Sequence, residues 1–178
     1  TLKIVKAPKK DFSIFVRIPG WSTNSEIKIN GKKVSADLKS GSYAELSKNW
    51  KKGDVIELNI PMPVELMQAN PLVEETKNQV AVKRGPVVYC IESADLSEKT
   101  DINSIVLDVN STFNTEKFNL KNREVVCIKG KAFVEDTNWT KALYKPLNRD
   151  KKQIDITLVP YYSWGNRGKG EMTVWMPY

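Results

Sequence analysis

The chain has 178 residues, is 40% hydrophobic and 28% charged, and carries a net charge of +7. That is the balance of an ordinary soluble globular protein, long enough to bury a real core in one or two domains. Histidine is absent, which excludes Ser-His-Asp and Cys-His nucleophile systems and every histidine-based metal site.

The N-terminus, Thr1-Leu-Lys-Ile-Val-Lys6, has no initiator Met, apolar signal core or cleavage site, and reads as an engineered boundary or as a cut inside a longer protein. From there the apolar period is two almost throughout. Phe12–Ile18 reads as a strand closed by Pro19-Gly20. Glu26–Ile29, Asn30-Gly31 and Lys32–Val34 form a hairpin signal, because Asn-Gly supplies the positive φ angles of a type I′ turn. Tyr43–Leu46 is a short strand, Trp50–Asp54 a turn, and Val55–Ile60 a strand that stops at Pro61. Val64–Met67 is a further strand. Val80–Val82 and Val87–Ile91 read as strand halves interrupted by Arg84-Gly85-Pro86, a bulge or an edge.

The texture changes after Ile91. Residues 92–103 are polar and acidic, with a turn or short 3₁₀ piece between Ala94 and Asn103. Strands follow at 105–109, 112–120, 124–128 and 131–135, with Gly130 as a tight turn between the last two. A loop rich in Asn, Lys and Asp leads to the strand Ile154–Val159. The tail, Pro160 to Tyr178, is apolar and aromatic where chain ends are usually loose and polar. Short strands with regular turn signals and no helical stripe predict an all-β protein of sandwich or barrel type.

The charge is uneven: +6 over residues 1–90, zero over 91–157 and +1 over 158–178. Together with the change of texture, this predicts two β-sandwich-like units. The first is discontinuous, residues 1–91 plus 158–178, closed by the C-terminal strand. The second, residues 92–157, is inserted into it. The lysines come as doublets in turns, not interleaved with aromatics along a groove. They read as solvated charge, so no nucleic-acid partner is expected, and with no apolar run of bilayer length no membrane partner either.

Candidate chemistry is sparse. The adjacent carboxylates Glu74-Glu75 and Glu135-Asp136 could act as an acid–base pair in sugar hydrolysis, but their polar surroundings read as surface. Cys90 and Cys127 sit mid-strand as small hydrophobes, with a disulfide as the alternative. Trp21, Trp50, Trp139, Trp164 and Trp175 are candidates for a sugar platform or for core, and Trp139 stands among polar neighbours. Arg167 in Asn166-Arg167-Gly168 either grips an anion through its guanidinium or ties the tail to a neighbouring loop. The second is favoured, with Trp164, Arg84, Gly85 and Pro86 as further structural or interdomain positions. Trp139, Trp21 and Arg167 remain candidate ligand contacts. Asn110-Ser-Thr112 and Asn138-Trp-Thr140 match the glycosylation pattern, which matters only in a eukaryotic secretory setting.

Several segments, in order, carry a family resemblance: Phe15-Val-Arg-Ile-Pro-Gly-Trp21, Ile29-Asn-Gly31, Trp50 with Gly53-Asp54, Ile60-Pro-Met62, Val80-Ala-Val-Lys-Arg-Gly-Pro-Val-Val-Tyr-Cys-Ile-Glu92, Pro160-Tyr-Tyr-Ser-Trp-Gly-Asn-Arg-Gly168 and Met172-Thr-Val-Trp175. The chain resembles the C-terminal part of glycoside hydrolase family 127, the β-L-arabinofuranosidase-like proteins once grouped as domain of unknown function 1680. The resemblance implies a bacterial parent whose catalytic (α/α)6 barrel lies N-terminal to this region. That barrel's zinc is held by a Glu and cysteines, one of them the nucleophile. None of those motifs is present here, so no catalytic residue, metal or cofactor is assigned to this chain. As implied partners it has the barrel, a second copy through residues 92–157, and a plant glycan. The role it implies is a non-catalytic accessory region, with a carbohydrate-binding module as the alternative.

Overall fold

The computed structural model describes residues 1–35, 37–97, 100–120, 123–136, 142–146 and 151–178. It is all-β, and among the described residues short 3₁₀ turns are the only helical pieces, as the period-two patterning predicts. The chain divides into two compact units, Thr1–Pro63 and Val64–Tyr178.

The first unit holds β1 (Leu2–Lys3), β2 (Phe12–Arg17), β3 (Glu26–Ile29), β4 (Lys32–Lys33), β5 (Tyr43–Lys48) and β6 (Val55–Asn59). One sheet runs β1-β6-β3-β4, and β2 pairs with β5 in a second. Their inward residues, among them Val16, Ile18, Ile27, Ala44, Leu46 and Ile56, pack into one core around Trp50. Trp50 is buried and its indole N–H donates to the Phe12 carbonyl at 3.0 Å, the single partner a buried indole needs. Asn30 and Gly31 both take positive φ, +50° and +76°, as the type I′ turn between β3 and β4 requires.

One polar cluster fixes this unit's turns. Asn30 Nδ2 donates to Asp54 Oδ1 at 2.8 Å, and Asn30 Oδ1 accepts from the Val55 amide at 2.8 Å. Asp54 also accepts from the Lys51 amide at 2.8 Å and pairs with Lys48 at 3.1 Å. These partners, Asn30 foremost and then the Lys51 amide, hold the Asp54 carboxyl down at about 2, because each favours the ionised form.

The second unit holds β7 (Val64–Met67), β8 (Gln79–Arg84), β9 (Val87–Glu92), β10 (Ile105–Leu107), β11 (Asn114–Leu120), β12 (Arg123–Val134), β13 (Lys152–Pro160), β14 (Met172–Thr173) and β15 (Trp175–Pro177). The sheet order is β10-β12-β13-β9-β8-β15, with β11 on β12, β14 on β9 and β7 on β8. The sheet curls until its end strands β10 and β15 lie against each other. That encloses a core of Val80, Val82, Tyr89, Ile91, Ile128, Ile156, Leu158 and Met176, among others. Alternate residues of the same strands, Cys90, Val125, Cys127 and Val159, form a smaller cluster with Leu120 on the other face, as a strand's alternation demands.

Three sequence expectations are corrected. The break does not fall at Ile91. Strands β8 and β9 belong with β12, β13 and the tail, because β13 pairs with β9 from Leu158↔Ile91 to Pro160↔Tyr89. The polar stretch after Ile91 is a loop inside one unit, and the true boundary is the proline pair Pro61 and Pro63, where the chain loses two ladder donors. The C-terminal strand does close a sheet after a long excursion, but that sheet is in the 64–178 unit. Second, Gly85-Pro86 is neither bulge nor edge. It is the two-residue turn joining β8 to β9, with Arg84 opposite Val87 and Gly85 at φ +56° ahead of Pro86, the residue pattern of a type II′ turn. Third, Gly130 is inside β12, not at a turn. A Cβ there would lie 2.7 Å from the Phe113 ring, so glycine is required by packing.

Because Asp54 titrates at about 2 against an ordinary 3.8, its contribution to stability is complete above pH ~4 and is lost as pH falls from 4 towards 2. The melting temperature of the first unit, followed from pH 5 to 2, should fall along that window. Asp54→Asn should flatten that part of the profile, and an equally steep profile in the variant would contradict the assignment.

Candidate functional site

The tail turn is built by the strand that precedes it. Strand β13 ends at Pro160, and Tyr161–Ser163 forms one 3₁₀ turn. The Ser163 hydroxyl donates to the Pro160 carbonyl at 2.7 Å, and the Asn166 amide donates to the Ser163 carbonyl at 2.9 Å. Gly165 and Gly168 take φ of +72° and +136°, which reverses the chain and aims Arg167 back at the end of β9.

There Arg167 meets two carboxylates. Its Nε donates to Glu92 Oε2 at 2.9 Å and its Nη1 to Asp95 Oδ1 at 2.6 Å, while Nη2 bridges both. Glu92 Oε1 accepts from the Gly165 amide at 2.7 Å. The guanidinium is one-fifth exposed, Glu92 and Asp95 less. Its hydrogen bonds to Asp95, first, and Glu92 raise the Arg167 pKa further above its ordinary value. Ser93 completes the tie: its hydroxyl accepts from the Glu171 amide and its own amide donates to the Glu171 carbonyl, both at 3.0 Å. Fork-shaped, charge-assisted pairing of this kind is the strong form of an ion pair.

The space lined by Glu92, Ser93, Trp164, Arg167 and Gly170 amounts to about 10 Å³, which is less than a water molecule requires with comfort and far from a sugar. Arg167 therefore grips the protein's own carboxylates. Glu92 and Asp95 were missed as its partners because they stand more than 70 positions away. Ion pairs of that separation leave no periodic signal in sequence.

The other candidate positions do not converge on this point. Arg84, Gly85 and Pro86 make the β8–β9 turn, and Arg84 acts on the Tyr89 phenol, which burial pushes up and Arg84 opposes. Tyr89 donates to the Val126 carbonyl at 2.9 Å. Trp21 is half-buried in a turn of the other unit, closed by the Ser22 amide on the Pro19 carbonyl. Trp139 and the Asn138-Trp-Thr140 pattern lie outside the described residues. Glu74 and Glu75 are exposed on a 3₁₀ turn, while Glu135 pairs with Lys151 and Asp136 with Lys145, both at 3.2 Å.

Both cysteines are free and buried. Burial, reinforced by the Glu92 carboxylate, pushes the Cys90 thiol up to about 12, and burial raises Cys127 as well. A thiol in that state is a poor nucleophile and a poor metal ligand. Their apolar cluster with Leu120, Val125 and Val159 supplies no third ligand, and no group of three metal-ligating side chains occurs among the described residues. The zinc that the resemblance implies for the barrel does not fit here.

Of the candidate tryptophans Trp50 is buried and Trp164 exposed, with two exposed tyrosines beside it. Tyr161, Tyr162 and Trp164 are 47%, 68% and 43% exposed around the tail turn. Tyr162 borders a cleft of about 250 Å³ shared with Arg123 and Asn166 and floored by Leu120 and Val125. The adjacent tyrosines in Pro160-Tyr-Tyr were the available sequence signal.

Replacing Arg167 by Met should leave two buried carboxylates facing each other and cost the 64–178 unit about 3 kcal/mol, read as a lower urea midpoint. An unchanged midpoint would show that the pairs carry no stability.

Comparison with known proteins accounts for both units. The glycoside hydrolase family 127 C-terminal domain matches residues 64–177, and the β-L-arabinofuranosidase GH127 middle domain matches residues 1–62. A non-reducing end β-L-arabinofuranosidase from Bifidobacterium longum subsp. longum is 33% identical over 170 residues, covering 89% of this chain and 25% of that protein. A solved glycoside hydrolase superposes with a TM-score of 0.87 at 46% identity, over 97% of this chain and 29% of its own. A GH127 β-L-arabinofuranosidase from Geobacillus stearothermophilus T6 does so with 0.84 at 35% identity, over 94% and 26%. The chain thus spans about a quarter of the length of these relatives, and the boundary between the two matched domains coincides with the boundary between its compact units. It belongs to glycoside hydrolase family 127, as the middle and C-terminal domains of that architecture.

Proposed function

We propose that this chain is a non-catalytic accessory region of a bacterial glycoside hydrolase acting on arabinofuranoside-type glycans, where it supports the catalytic barrel. The observation that carries the reading is how its reactive side chains are used. Arg167 is locked on Glu92 and Asp95 in a space of about 10 Å³, and both thiols are sealed in an apolar cluster. The groups best suited to chemistry are consumed in holding the fold. In this reading the barrel is the covalent partner, and residues 92–157 offer the face for a second copy, which light scattering of the chain would report as a dimer.

A second reading, a carbohydrate-binding module, is favoured by Tyr162. An exposed aromatic beside a guanidinium and an amide is the arrangement that stacks on a sugar ring and hydrogen-bonds its hydroxyls, and the cleft of about 250 Å³ next to it admits one furanose.

The purified chain should not hydrolyse an aryl β-L-arabinofuranoside, and its thiols should resist a disulfide reagent until denaturant is added. Turnover above background would sink the accessory reading. Titration with arabino-oligosaccharides, followed by tryptophan fluorescence, separates the two. A flat response leaves the structural role alone, and a saturable change abolished by Tyr162→Ala selects the binding module.

A further inference from the structure

The basic charge of the chain belongs to one unit. Residues 1–63 hold 12 Lys and Arg against 6 Asp and Glu, so +6 of the total +7 lies there. The fold gathers part of that charge at one place. Strand β1 pairs with β6, and the chain beyond it is held to the turn before β6 by the Ile4 amide on the Asp54 carbonyl and the Gly53 amide on the Ile4 carbonyl, both at 2.8 Å. Between the strap Val5–Lys9 and the turn Asn49–Lys52 opens a cleft of about 710 Å³, a size suited to a small ligand or one to two sugar rings.

The walls of this cleft carry Lys6, Lys9, Lys51 and Lys52, all exposed. Two lysine groups far apart in the sequence are thereby brought face to face. No carboxylate lines the cleft, and none of the four lysines pairs with one among the described residues. Asp54, which closes the same turn, is already committed to Asn30, Lys48 and the Lys51 amide. In the same unit Lys28 and Lys33 are matched by Glu26, and Lys48 by Asp54. The floor is apolar, with Ala7 and the buried Trp50, and Val5 and Pro8 stand at its exposed rim. Like charges brought together raise the local potential, and an anionic ligand relieves it.

We propose that this cleft is a binding site for a carboxylate-bearing glycan, a short run of uronate residues whose carboxylates meet the lysines and whose rings lie on the Val5–Pro8 shelf. The choice of a glycan over other polyanions rests on the glycan-associated role proposed above. The cationic cleft itself does not. Lysine suits the task, since its ammonium is a point charge that tolerates varied ligand geometry.

The test is isothermal titration of the full 178-residue chain with a tetragalacturonate, its methyl-esterified form and a neutral arabinotetraose, in 50 mM and 300 mM salt. Saturable binding of tetragalacturonate alone is expected, weakened about tenfold by higher salt and about tenfold by the double substitution Lys9→Gln with Lys52→Gln. The exposed positions of these lysines should leave the melting temperature unchanged. Equal binding of the esterified or neutral sugar, tighter binding of an oligodeoxynucleotide of equal charge, or an unaltered affinity in the double variant would overturn the proposal. Its failure is separable from that of the accessory reading, because the latter is judged by arabinofuranoside turnover, which does not involve this cleft.

Discussion

Arg167 bridging Glu92 and Asp95 is the contact on which the larger unit depends. The strands it delivers are very short, Met172–Thr173 on β9 and Trp175–Pro177 on β8. Pairing of that length cannot hold a chain terminus by itself. The guanidinium fixes the turn at Gly165–Gly168 against the end of β9, the Ser93–Glu171 hydrogen bonds continue the tie, and the tail then has one register left. Only with β15 in place does Met176 enter the core and the curled sheet meet itself at β10 and β15. Three charged groups, mostly withdrawn from water, are expensive to assemble. Their use here fits a need for a unique closure more than for maximal stability.

The smaller unit uses the same device with different residues. Asp54 gathers Asn30, the Lys51 amide and Lys48, so the β3–β4 turn and the turn before β6 are locked together. The two clusters coincide with the segments that carry the family resemblance: Ile29-Asn-Gly31 meets Gly53-Asp54, and the strand ending at Glu92 meets the tail around Arg167. In both cases the distinctive residues of the sequence serve architecture. That is the physical basis for the proposal that the region serves as support.

Local chemistry was legible in the sequence. Asn30-Gly31 announced its turn because few other residue pairs take positive φ twice. Cys90 and Cys127 were readable as buried thiols from their apolar neighbours. Features set by distant partners were not legible. Gly85-Pro86 looked like a fault in one strand because nothing local says that its two halves pair with each other. Gly130 looked like a turn because Phe113, the ring that forbids a side chain there, lies 17 positions away, just before β11. The unit boundary was misplaced because a change in charge density was weighed above the two prolines that interrupt the ladder. The lysine cleft was hidden for the same reason as the Arg167 clamp, since sequence spacing says nothing about which turns become neighbours.

The central claim is that the tail is a locked part of the fold, and amide hydrogen exchange tests it most directly. In the intact chain, the amides of Gly165 and Thr173 to Met176 should exchange slowly and together with those of β9 and β13, opening only with the whole unit. Exchange of these tail amides within seconds, while β9 and β13 stay protected, would contradict it and would mean that Arg167 is free to serve something other than the closure of the sheet.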